Sequence, residues 1–105
     1  MMTLVNTDYL SGKEIVTLGL VKGSNIRAKH VGNDILSALK MIVGGELTAY
    51  GDMINEARAI ATKRMVDEAR DLGADAVLNV RYATSNVAKS AAEVLVYGTA
   101  VRYVN

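Results

Sequence analysis

Apolar residues change their spacing along this chain, and the changes mark out its elements. Lys13 and Glu14 lead into Ile15-Val16-Thr17-Leu18-Gly19-Leu20-Val21, a β-branched run lying between Gly12 and Gly23. Such a run predicts a strand. Residues 15, 17, 19 and 21 are Ile, Thr, Gly and Val, and residues 16, 18 and 20 are Val, Leu and Leu, so both faces are apolar. A half-exposed strand would alternate apolar with polar. Thr3 to Val5 adds a short edge strand, and Gly23-Ser24-Asn25 reads as a turn.

The period then becomes helical. Asn33 is a capping residue and Asp34 suits a first turn. Ile35, Leu36, Leu39, Ile42 and Val43 share one stripe, which predicts a short helix ended by Gly44-Gly45. A longer helix is predicted over about Thr48–Leu72. Ile54, Ala57, Ala61, Met65 and Leu72 share its inner face at the 3.6-residue period, with Met53 and Ile60 beside them. Asp52, Glu56, Lys63, Asp67 and Arg70 point away, Gly73 supplies the stop, and Gly51 is a weak point near the start.

Alternation returns at Ala76–Tyr82, with Ala76, Leu78, Val80 and Tyr82 on one face and Val77, Asn79 and Arg81 on the other. Ala83–Ala92 is small and polar and reads as a connecting loop. Glu93–Val104 is a further strand, apolar on both faces: Leu95, Tyr97 and Val101 against Val94, Val96, Ala100 and Val104. Two strands so close in sequence form an antiparallel hairpin. The order strand, short helix, long helix, strand, strand predicts one α+β domain over residues 1–105, a two-layer sandwich with a three-stranded antiparallel sheet. Helices cover one sheet face only, so the outer faces of strands 15–21 and 93–104 need another cover. A second subunit supplies it most simply, in a closed, symmetric homo-oligomer.

Composition narrows the function classes. The 105 residues are 50% hydrophobic with a net charge of +1, which excludes a disordered chain. Near-neutrality argues against nucleic-acid and acidic-membrane partners. There is no cysteine, so disulfides and thiolate metal sites are excluded, and the single histidine cannot supply a His₂ or His₃ zinc site within one chain. No apolar run approaches a membrane span, and Met1–Leu10 lacks the pattern of a secretion signal. The expected location is the cytoplasm.

An ordered set of motifs resembles the YbjQ-like family of small bacterial and archaeal proteins, many of which carry the label heavy-metal-binding. The motifs are Ile26-Arg27-Ala28-Lys29-His30-Val31-Gly32-Asn33-Asp34-Ile35, Ile42-Val43-Gly44-Gly45-Glu46-Leu47 with Tyr50, Glu56-Ala57-Arg58, Arg64-Met65, Leu72-Gly73-Ala74-Asp75-Ala76-Val77 and Glu93-Val94-Leu95-Val96-Tyr97-Gly98-Thr99-Ala100-Val101. The resemblance spans about Gly12–Val101. It implies a dodecin-like subunit in a ring-shaped homopentamer. Asn79 departs from it, standing where the family pattern has a small glycine.

Three groups of residues bear on chemistry. His30 and Asp34 lie one helical turn apart, with Glu46 further on; imidazole with Asp34 or Glu46 suits a divalent metal such as zinc, manganese or iron, whereas soft heavy metals prefer sulfur. Arg64 and Glu68 fall one turn apart inside the apolar stripe, with Arg58 at its edge. This arrangement predicts an ion pair that orients the helix, within the subunit or across an interface. Thr84-Ser85-Asn86 with Arg81 could border a small-molecule pocket, though a solvated hairpin connection is the simpler reading. No nucleophile or second carboxylate stands beside Glu68, so a non-enzymatic, ring-forming homo-oligomer without a resident cofactor is the leading expectation. A metal-binding protein and a ligand carrier or enzyme with sites at subunit junctions are the alternatives.

Overall fold

The computed structural model describes residues 1–28, 45–88 and 91–104. One helix packs on a four-stranded mixed sheet. In chain order the elements are β1 (Thr3–Leu4), β2 (Ile15–Ala28), α1 (Gly45–Asp71), β3 (Ala76–Ala88) and β4 (Ala91–Tyr103). The sheet order is β1-β3-β4-β2. β4 pairs antiparallel with both long neighbours, and β1 adds a two-residue parallel ladder beside Ala76 and Val77. The α+β class is as expected, and β1 is the short edge strand expected at Thr3–Val5, which makes the sheet four-stranded and mixed where three antiparallel strands were expected. The short helix expected over Asn33–Val43 lies outside the described residues.

Two expected breaks in the strands are absent. Gly23-Ser24-Asn25 is not a turn, because β2 continues through it to Ala28 in unbroken register with β4. Ala83–Ala88 is not loop, because β3 stays paired with β4 along its length. Gly23 has another purpose. A Cβ there would overlap the Ala61 carbonyl oxygen and come within 2.5 Å of the Met65 nitrogen. The missing side chain is what lets α1 lie directly on β2.

The expected face assignments fail at two bulges. Register shifts between Thr17 and Gly19 on β2, with Gly19 at φ 145°, and between Leu78 and Arg81 on β3, with Asn79 at φ 54°. A bulge adds one residue and reverses the alternation beyond it. Leu20 therefore shares the outer face with Ile15 and Thr17, while Val80 and Tyr82 join Val77 on the helix side. Asn79 explains its departure from the family pattern: asparagine tolerates the left-handed conformation that glycine adopts freely. We expect Asn79→Gly to fold normally and Asn79→Val to lose about 1–2 kcal/mol, read from urea midpoints.

The main core lies between α1 and the sheet. Ala57, Ala61, Met65 and Ala69 are fully buried against Val21, Val77, Val94, Val96 and Ala100. Small alanines on the inner stripe allow the close approach that Gly23 requires. Leu72, expected on that stripe, lies past the helix end and is 48% exposed. The stop itself is a Schellman motif: Gly73 at φ 81° donates to the Arg70 carbonyl at 2.9 Å, and Ala74 donates to that of Ala69 at 3.0 Å.

On the opposite face the chain covers part of its own sheet. Ala76, Leu78 and Val101 are buried beneath Val5, Leu10, Ile15 and Tyr103. The outer faces of strands 15–21 and 93–104 are thus closed at this end by the N-terminal segment. Beyond it the outer face stays open through the cross-strand rows Arg81–Tyr97–Lys22, Ala83–Leu95–Ser24 and Ser85–Glu93–Ile26. Leu20 and Ile26 there are 70% and 59% exposed.

Candidate functional site

Arg64 and Glu68 do not form the expected pair with each other. Both reach from α1 around the edge of β2. The Glu68 carboxylate accepts from the Lys22 backbone N–H at 3.1 Å, and the Arg64 guanidinium donates to the Ser24 carbonyl at 2.6 Å. These backbone groups flank Gly23 and point away from β4, where an edge strand would otherwise leave them unpaired. Each side chain meets its charge preference locally: the anion takes a donor and the cation an acceptor. Glu68 is therefore a structural staple in this subunit. Glu68→Ala should cost about 1 kcal/mol, while Glu68→Gln, which keeps an accepting oxygen, should cost less in the same thermal melts.

Arg58 is held in a different contact. It donates to Asn55 Oδ1 at 3.2 Å, and its guanidinium lies 5.8 Å from the centre of the Tyr82 ring. The Tyr82 hydroxyl is hydrogen-bonded to Thr62 Oγ1 at 2.9 Å, which ties α1 to β3. Arg27 on β2 forms an ion pair with Glu56. Asp67 faces solvent between Lys63 at 2.9 Å and Arg70 at 3.2 Å. The Lys63 hydrogen bond lowers its pKa below the usual value, so the pair supports folding above the ordinary carboxylate range and stops doing so as pH falls through the lowered value. Solvent and salt screen this contribution.

His30 and Asp34 lie outside the described residues. Glu46 falls in the first turn of α1, and the side chains of that turn also lie outside them. No three His, Cys, Asp or Glu side chains converge among the described residues. The donor chemistry of the whole chain does not fit a soft heavy-metal ion, since it has one imidazole, no thiolate and otherwise only methionine sulfur.

Of the groups singled out from sequence, Arg81 borders a concavity among the described residues. A cleft of about 560 Å³ opens on the outer sheet face, where the N-terminal segment ends its cover. Arg81, Asn79, Leu20 and Tyr97 come from the sheet, and Asp8 and Tyr9 from the segment. Thr84, Ser85 and Asn86, the other residues of that reading, do not line it. Sequence spacing could not assemble this cleft, because the β3 bulge decides which way Arg81 points.

Comparison with known proteins places this architecture. A family model described as "Putative heavy-metal-binding" matches residues 2–104. A protein of the UPF0145 family from Alkaliphilus metalliredigens is 67% identical over 98% of this chain and 100% of its own length. Another from Methanosarcina acetivorans is 55% identical over 99% of each chain. A crystal structure of a protein of unknown function from Pediococcus pentosaceus superposes with a TM-score of 0.66 over 97% of each chain, at 14% identity, and so shares the fold. No helix among the described residues is long and apolar enough to cross a membrane. With the match covering nearly the whole sequence, this chain belongs to the YbjQ-like family of UPF0145 proteins.

Proposed function

We propose that this protein is a non-enzymatic, ring-forming homo-oligomer of the cytoplasm, with five subunits as the family resemblance implies. The observation that carries this reading is the open edge of β3. The N-terminal segment hydrogen-bonds this edge only as far as Val80, and residues 81–86 beyond it are all exposed, with no further strand beside them among the described residues. A long unpaired edge next to exposed apolar residues is a template for another strand, and closure in a ring removes it. The subunit's shape agrees. Its radius of gyration is 17.2 Å, against about 13 Å for a compact chain of this length. The charged side chains of α1 also support a structural role, since Glu56, Arg58, Arg64 and Glu68 are engaged in holding the helix to the sheet.

Sedimentation velocity at micromolar concentration tests the proposal, and the expected species is a single multiple of the 11.2 kDa chain. A stable, folded monomer would overturn it. Elemental analysis after exposure to cadmium or mercury is expected to find no stoichiometric metal at neutral pH, because thiolate ligands are lacking. Tight binding that disappears in His30→Ala would contradict that expectation.

A further inference from the structure

The outer sheet face has a charge arrangement that the fold itself does not use, with Arg81 and Tyr97 in the lining of the cleft and Lys22 on the same face outside that lining. Arg81 on β3 is in register with Tyr97 on β4, and Tyr97 is in register with Lys22 on β2. Adjacent strands lie about 4.8 Å apart, so the two cations stand on one open face about 10 Å apart at the backbone, with one aromatic ring between them. Neither forms a side-chain ion pair among the described residues, although Lys63, Arg70 and Arg27 all do. Like charges on one face repel, and an anion placed between them relieves that.

The walls of the same cleft are apolar and aromatic. Leu20 is 70% exposed, Tyr9 60% and Tyr97 36%. All three border the cleft beside Arg81, and Asn79 adds a polar group. Its volume of about 560 Å³ lies in the range of small-molecule sites. An inorganic anion would use the guanidinium and leave those walls in water. A flat ring carrying a carboxylate would use both, with the carboxylate on the planar Arg81 fork and the ring against Tyr97 and Leu20. Asp8, the acidic residue of the lining, sits on the N-terminal segment and can accept from a donor group on the ring.

We propose that this cleft binds a small aromatic carboxylate, with Arg81 holding the carboxylate and Tyr97, Tyr9 and Leu20 holding the ring. The site is built within one subunit and does not rest on the assembly proposed above.

The test is calorimetric titration of the full-length protein at low salt with 4-hydroxybenzoate, and in parallel with benzyl alcohol and with inorganic phosphate. The expected result is saturable binding of 4-hydroxybenzoate, tighter than of either comparison compound. Arg81→Gln is expected to weaken it at least tenfold, since a charge-assisted contact is lost, with Arg81→Lys in between. Arg102→Gln, which removes an exposed cation outside the cleft, is expected to leave it unchanged. Circular dichroism and sedimentation of each variant establish that fold and assembly are intact, and Tyr97→Leu provides a second route if an arginine variant is unstable. Absence of saturable binding at millimolar ligand overturns the proposal. So does equal binding of benzyl alcohol or phosphate, or an Arg81→Gln protein that binds as the parent does. A monomeric protein that still binds would defeat the ring reading alone, and a ring that does not bind would defeat the cleft alone.

Discussion

Gly23→Ala should destabilise the protein by at least about 3 kcal/mol, near the upper end for a single added methyl group. The new Cβ meets backbone on both sides, the Ala61 carbonyl oxygen and the Met65 nitrogen, with Arg64 Cβ at 3.0 Å. Rotamer changes cannot relieve contacts with backbone, so α1 must lift from β2. Lifting it also pulls Glu68 from the Lys22 N–H and Arg64 from the Ser24 carbonyl, so overpacking and lost charge-assisted bonds act together. Gly51→Ala is the matching control. It lies in the same helix with nothing within 4 Å of its Cβ position, and should gain about 0.5–1 kcal/mol through helix propensity. Urea denaturation of the two variants should therefore move in opposite directions. A Gly23→Ala protein as stable as the parent would show that the helix does not rest on the strand there.

Val96→Asp and Leu95→Asp, at adjacent positions, should fail in different ways. Val96 is fully buried on the helix side of β4, opposite Gly23 and Tyr82. A carboxylate there has no cation within the apolar core, and the cost of about 3–5 kcal/mol for an unpaired buried charge is comparable with the whole stability of a small domain. The expected result is loss of cooperative unfolding or insoluble protein. Leu95 faces outward in the row with Ala83 and Ser24, part-buried in the isolated subunit. Leu95→Asp should keep native circular dichroism but sediment at lower mass if further copies cover this face. An unchanged sedimentation profile would remove the open outer face from the interface.

The long helix was legible from sequence because Ile54, Ala57, Ala61 and Met65 repeat at a period no strand can use. The helix starts at Gly45, three residues before Thr48, where the pattern places its start because Gly44-Gly45 has the composition of a stop. The sheet was harder to read. Gly23-Ser24-Asn25 has turn composition, yet the glycine answers to Ala61 and Met65 on a helix that comes much later in the sequence. The small polar stretch after Tyr82 is strand for the same kind of reason, because β4 holds it through backbone bonds that carry no side-chain signature. Alternation beyond Gly19 and Asn79 could not be assigned without knowing of the bulges. Asn79 was the one visible clue, as a residue suited to positive φ standing where the family pattern has glycine. At Arg64 and Glu68 the spacing revealed two charges on an apolar stripe. Their partners are main-chain atoms of an edge strand, which sequence pattern does not display.

The glycine at position 98 has a consequence for how the hairpin finds its alignment. Its Cβ position lies 2.6 Å from Val77 Cγ1 and 2.8 Å from the Leu78 carbonyl oxygen, where β3 bulges across it. Strands rich in Ala, Val, Ser and Thr could slide by two residues and still keep each side chain on its own face. Such a slide would bring Val96 or Ala100 to the bulge, where its Cβ has no room. Gly98 thus acts as a notch that accepts one alignment and rejects its near neighbours.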